Sequence, residues 1–352
     1  MTAFTTIDDP SAYFKVQLYT GTGSSHAVTF NDTDTDMQPD MVWLRYRNAV
    51  KNHYLFDSIR GATKNLAPND TDAEGTDANT LTAFGSDGFT VGTSGAINTS
   101  SGLNVAWCWK AGTTSGITTT GANITPSAYS FNATSGFSII KYEGNGTNGT
   151  NTAHALGAVP HMMIIKRLEN ANYWAVYHHK SHADPEDYYL VLNENYARGD
   201  AGIWKDTPPT SVYFRHDNST SVNANGEDMI AYLFTSIQGY SKFGGYTGNG
   251  NADGTFVYTG FRPAFVMIKN AESTQNWTMN DNKRLGYNVD NNILFPNHTG
   301  AENTGDNIDL LSNGFKIRWT DSVNNTSGET YVYAAFAEAP FVNSNGVPCN
   351  AR

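Results

Sequence analysis

Tyr246-Thr247-Gly248-Asn249-Gly250, followed by Pro263-Ala264-Phe265-Val266-Met267-Ile268-Lys269, is the stretch on which the fold of this chain turns. A YxGxG string alone says little, but the order of landmarks around it occurs three times. Tyr19-Thr20-Gly21-Thr22-Gly23 precedes Pro39 to Leu44 (PDMVWL) and Arg45. Tyr142-Glu143-Gly144-Asn145-Gly146 precedes Pro160 to Ile165 (PHMMII) and Lys166. Each proline opens an apolar run that ends in a base, and fourteen residues past each proline stands a ring: His53, Trp174, Trp277. Further on come the turns Asn98 to Gly102, Asn223 to Gly226 and Asn325 to Gly328. Each leads into an aromatic strand, Val105 to Trp109, Ile230 to Phe234 and Val332 to Phe336.

Ordered landmarks recurring three times are the signature of internal repetition. Gly-x-Gly and Asn-Gly supply the φ > 0 positions of tight hairpin turns. A short, continuously apolar run opened by proline reads as a strand buried on both faces. The closing strands alternate, with Val105, Trp107 and Trp109 on one face and Ala106, Cys108 and Lys110 on the other. The fold class expected is all-β: three tandem β-sandwich, jelly-roll-like repeat domains. Residues 1–112 form the first with a short N-terminal arm, 113–125 a Thr/Gly-rich linker, 126–238 the second repeat, 239–342 the third and 343–352 a polar tail. Residues 48–66 and 186–197 are each expected to hold one short helix. Repeats strung in series predict a stiff rod.

Composition bounds the function. Charged residues are 16% of the 352, aromatics 12%, and the net charge is −11. Without a Lys/Arg cluster to neutralise phosphates, nucleic acid is not an expected partner. No window approaches the apolar length of a membrane span. The N-terminus has no basic region followed by an apolar run, so no signal peptide is expected and synthesis in a cytoplasm is. Cys108 and Cys349 make neither a disulfide framework nor a zinc site.

Three groups invite a site reading. Asp32, Asp34 and Asp36 alternate as calcium ligands do, but Met37 stands where an EF-hand needs glycine, so a solvated hairpin end competes. His178, His179 and His182 form H-H-x-x-H; imidazole suits transition metals, yet the glutamate of a metalloprotease helix is absent. Trp43, Trp174 and Trp277 read either as sugar-stacking platforms or, given the matched positions of Trp174 and Trp277, as core. No nucleophile elbow or phosphate loop occurs. The expectation is therefore no catalytic residue, no metal and no cofactor.

Longer strings carry a resemblance. They are Asp57 to Lys64 (DSIRGATK), Leu81 to Phe89 (LTAFGSDGF), Val105 to Gly112 (VAWCWKAG), Lys242 to Gly250 (KFGGYTGNG), Tyr258 to Val266 (YTGFRPAFV) and Tyr331 to Glu338 (YVYAAFAE). These resemble an uncharacterised repeat domain of tail and other virion proteins of marine bacteriophages, including phages of cyanobacteria. The resemblance implies a non-enzymatic virion subunit, above all a tail fibre, spike or other appendage for host attachment. Capsid decoration or a head fibre, a glycan-binding module and, distantly, a polysaccharide-degrading tailspike are the alternatives. Expected partners are copies of itself, as a trimer, other virion proteins and host surface glycan. The second copy departs most from the pattern, at His178 to Asp187.

Overall fold

Side chains alternate between the two faces of a strand, so a strand apolar at every position needs a partner on each side. The computed structural model describes residues 4–30, 35–284, 288, 292–305 and 308–349 and meets that need three times. The chain is all-β. Every named strand pair is antiparallel, and among the described residues the one α-helical turn is Ser322–Asn325. No described helix is long and apolar enough to cross a membrane.

In the first segment β1 (Phe14–Thr20), β2 (Met41–Tyr46), β3 (His53–Asp57) and β4 (Leu103–Trp109) form a sheet in the order β1-β4-β2-β3. In the second, β5 (Phe137–Glu143), β6 (Met162–Arg167), β7 (Ala175–His178) and β8 (Asp228–Phe234) give β5-β8-β6-β7. There Ala128–Asn132 is added outside β5, and Tyr188–Val191 and Gly199–Asp200 outside β7. In the third, β9 (Ser241–Thr247), β10 (Phe261–Asn270), β11 (Thr278–Asp281) and β12 (Thr330–Pro340) give β9-β12-β10-β11. Register recurs with order. Met41 faces Trp109 and Asp57, Met162 faces Phe234 and His178, and Phe265 faces Phe336 and Asp281.

A smaller sheet covers one face of each large one. In the first segment Val42, Leu44, Ala106 and Cys108 meet Val28, Phe89 and Val91 of the small sheet. In the second Met163, Ile165 and Leu233 meet Phe214, and in the third Val266, Ile268 and Ala335 meet Val257 and Phe315. The opposite faces do not meet solvent. Val105, Trp107 and Trp109 join Ile230, Tyr232 and Phe234, and Val332, Ala334 and Phe336, in one core common to all three segments. Trp109, Phe234 and Phe336, at matching register positions, meet pairwise with ring centroids 6.5, 5.9 and 5.5 Å apart. Equivalent residues in mutual contact mark a pseudo-three-fold axis. The segments close a ring around that axis, so the rod expected from a serial arrangement is not formed.

Each YxGxG turn is locked by the asparagine of the later turn. Asn98, Asn223 and Asn325 are fully buried. Their side-chain oxygens accept from the N–H of Thr22, Asn145 and Asn249 at 2.8, 2.8 and 2.9 Å. Their amides donate to carbonyls on both sides, as Asn325 does to Asn251 and Trp319. The turn tyrosines fasten the same place, Tyr19, Tyr142 and Tyr246 donating to the carbonyls of Ile97, Val222 and Asn324. The approach is close enough to require glycine: a Cβ on Gly21 or Gly248 would lie 2.2 Å from the carbonyl oxygen of Thr99 or Thr326.

Ties between segments keep one cyclic sense. The bases Arg45, Lys166 and Lys269 are buried and donate to carbonyls of a neighbour: Arg45 to Thr299 (2.7 Å) and Gly300, Lys166 to Thr71 (2.8 Å), Lys269 to Asn195 (3.4 Å). Burial lowers them to about 10, 8 and 7, while the ring of carbonyls favours the charged form. The rings fourteen residues past the prolines follow suit. His53 Nε2 donates to Phe295 O, Trp174 Nε1 to Ala67 O and Asp70 O, and Trp277 Nε1 to Val191 O. The helices expected in 48–66 and 186–197 are absent. Residues 53–57 and 64–65 are strands, and 186–197 holds the end of the 3₁₀ turn Pro185–Asp187 and the strand Tyr188–Val191. Sheet pairing overrides local propensity there, as in the ladder between Leu55 and Leu66.

Candidate binding cleft

The residues singled out in the sequence are scattered by the fold. Trp43, Trp174 and Trp277 are buried (3%, 0% and 1% exposed), which overturns sugar stacking on them and leaves the core reading. Asp36 is exposed; Asp32 and Asp34 lie outside the described residues. His178, His179 and His182 do not converge on a metal position, and among the described residues no group of three such ligands does. His178 Nε2 donates to Tyr333 O at 3.1 Å and His179 Nε2 to Phe243 O at 2.9 Å, so both fasten the second segment to the third. His182 instead packs on Tyr188 with centroids 4.2 Å apart. Burial lowers His178 to about 3 and His179 to about 4, which keeps both neutral at ordinary pH.

His178 explains why the second segment departs from the pattern. Its register position holds Asp57 in the first segment and Asp281 in the third. Those carboxylates accept from a neighbouring segment's closing strand, Asp57 from Tyr232 Oη (2.6 Å) and Asp281 from Trp107 Nε1 (3.0 Å). The third position in that cycle is Ala334, which has no side-chain donor. A carboxylate facing it would be unmatched, and a histidine can donate to the adjacent main-chain carbonyl instead.

Where His179 and Lys180 meet the third segment, a cleft of about 740 Å³ opens beside β9. In the second segment the matching strand β5 is flanked by Ala128–Asn132; β9 lies at the edge of its sheet. Gly244 and Gly245 make the room. A Cβ on Gly244 would lie 2.5 Å from the Tyr333 hydroxyl, and one on Gly245 3.3 Å from Cβ of Lys180. Across from β9, Phe256 and Tyr258 are 44% and 53% exposed while Val257 between them is buried. Lys242 Nζ donates to Tyr258 O at 2.7 Å and lies 5.4 Å from the centre of the Tyr258 ring. Phe4, Phe341, Ser236, Gln238 and Thr259 complete the lining.

Among the described residues no aspartate or glutamate lines this cleft, and the formal charges there are Lys180 and Lys242. A second cleft, of about 370 Å³ between the first and second segments, has the opposite character. Its Glu74 and Asp228 are held by Lys64 (3.1 Å) and Lys141 (2.6 Å). Of the residues of the larger cleft, His179 entered the sequence reading as a candidate metal ligand and Lys242 to Tyr246, Tyr258 to Gly260 and Tyr333 as parts of matching strings, while Phe256, Ser236 and Gln238 did not enter it. The signal for the cleft was Phe256-Val257-Tyr258, two aromatics on one face of a short strand with an aliphatic residue on the other.

Residues 9–340 match a family described as a domain of unknown function, DUF7483. The chain belongs to the DUF7483 family. The match spans all three segments, as the common core of this DUF7483 chain does. Comparison with curated proteins and with solved structures gives no match.

Proposed function

We propose that this DUF7483 chain is a non-enzymatic structural subunit of a bacteriophage virion, a tail fibre, spike or other appendage that takes part in host attachment. The strings that resemble repeats of phage tail proteins supply the location. The observation that carries the structural role is the use made of buried charged and titratable groups. Arg45, Lys166 and Lys269, His53 and His178, and Asp57 and Asp281 all tie one segment to another. A block held in this way is stiff and self-contained, which suits a part that bears load between a particle and a cell surface.

On this reading the chain is made in the host cytoplasm, joins the virion, and associates with copies of itself and with other virion proteins, three chains about a true axis being the favoured assembly. Mass spectrometry of purified particles from a phage encoding the chain, with cryo-electron microscopy of the same particles, tests it. The expected result is a stoichiometric component at the tail. Density at the head would reassign it to capsid decoration, and absence from the particle would overturn the proposal.

A further inference from the structure

We infer that the cleft between the second and third segments binds an acidic saccharide, a sugar ring bearing a carboxylate of the uronate or sialate kind. The inference deepens the attachment reading and rests on it for the biological source of the ligand; the chemistry rests on the cleft alone. Exposed Tyr258 and Phe256 stand on one wall, with Phe4 nearby at 52% exposure. Flat rings left in water cover the apolar C–H face of a pyranose, and a Tyr adds a polar edge. Ser236, Gln238 and Thr259 offer hydroxyl and amide groups to sugar hydroxyls.

Charge selects among sugars. The chain carries −11 overall, yet among the described residues Lys180 and Lys242 are the charged side chains that line this cleft. A field of that sign in an acidic protein repels cations and favours a carboxylate held between two ammonium groups. Lys242 is fixed for that role by its bond to Tyr258 O, which joins the charge to the stacking ring. Among the described residues no carboxylate lines the cleft to supply the paired acids of glycoside hydrolysis, so the inference is of a site that holds its ligand without cleaving it.

The test is calorimetric titration of the intact chain with short oligomers of galacturonate, mannuronate, guluronate and N-acetylneuraminate, beside neutral maltooligosaccharides and sodium acetate. Binding of at least one acidic oligomer is expected, with the neutral oligomer and acetate each at least about tenfold weaker and affinity falling as salt rises. Tyr258→Ala and the pair Lys180→Ala with Lys242→Ala are each expected to weaken it by about tenfold or more. The exposed Tyr258 variant is expected to keep the parent's thermal midpoint, which separates lost binding from lost folding. No binding by any acidic oligomer at millimolar concentration overturns the inference, as do equal binding of neutral sugars and binding indifferent to both variants. A virion subunit that fails this titration leaves the structural reading intact, and a sugar binder absent from virions leaves the cleft intact.

Discussion

Six histidines, His53, His154, His161, His178, His179 and His216, sit in places that keep them from taking a proton. Burial is the leading cause for each; His154 and His216 are lowered to about 4, His178 to about 3, and His53 well below its ordinary value of 6.5. Unfolding returns each to water, where it protonates near pH 6.5. As pH falls below that value the unfolded chain binds protons that the folded chain refuses, so stability present above about pH 6.5 is lost progressively down to about pH 4 for His154 and about pH 3 for His178. The deeply buried His154, His178 and His216 each contribute on the order of 1–3 kcal/mol to that loss, and the half-buried His161 less. Urea midpoints at pH 7.5 and 4.5 check this: a clearly lower midpoint at the acidic value is expected, and an unchanged one rejects the account. Little of this was legible beforehand. His53 stood out only as a ring where Trp174 and Trp277 stand, and H-H-x-x-H suggests ligands to a reader who cannot see that two of its rings point at the carbonyls of Tyr333 and Phe243.

At the level of strands, sequence told most. Proline-opened apolar runs and alternating closing strands marked β2, β6 and β10 and β4, β8 and β12, because period and turn chemistry are local properties. What a strand faces is not local. Trp107 and Trp109 read equally as the inside of a private sandwich or of a shared one, and only the packing of three sheets distinguishes these. The exchange of Asp for His at position 178 is the clearest case of one strand answering another. Two substitutions probe it. Tyr232→Phe removes one donor to Asp57, whose carboxylate keeps Arg60 Nε and the N–H groups of Ile59 and Arg60, and is expected to destabilise by about 1–3 kcal/mol, the worth of one hydrogen bond to a buried charged group. His178→Asp, which makes the three positions formally alike, is expected to destabilise at least as much, since the new carboxylate would face the Tyr333 carbonyl and Ala334 with no donor between them. Thermal unfolding reads both, and a His178→Asp variant as stable as the parent rejects the explanation.

The whole molecule behaves as one unit because each segment, beside its private core, shares one apolar face with the other two. Each large sheet is covered on one face by its own small sheet and on the other by its neighbours, so a segment released alone would expose Trp109 or Phe336 and their surroundings to water. The intact chain is therefore expected to unfold in a single calorimetric transition whose enthalpy matches the van't Hoff value. A fragment of residues 240–341 is expected to lack a cooperative transition. Three separable transitions, or a folded fragment, would show that the segments are independent after all. This arrangement was the least legible level, since the same landmarks suit beads on a string as well as a ring. Closure has one more outcome. Ser344 donates its N–H to Asp8 at 2.7 Å, so the first and last parts of the fold lie side by side, whereas the exposed stretch 113–121 spans the first and second segments with few apolar groups. Where the polypeptide is cut is thus incidental to the architecture: a circular permutant joined across Asp8 and Ser344 and opened within 113–121 would present the same three sheets in a new reading order, and the segment now called second would come first.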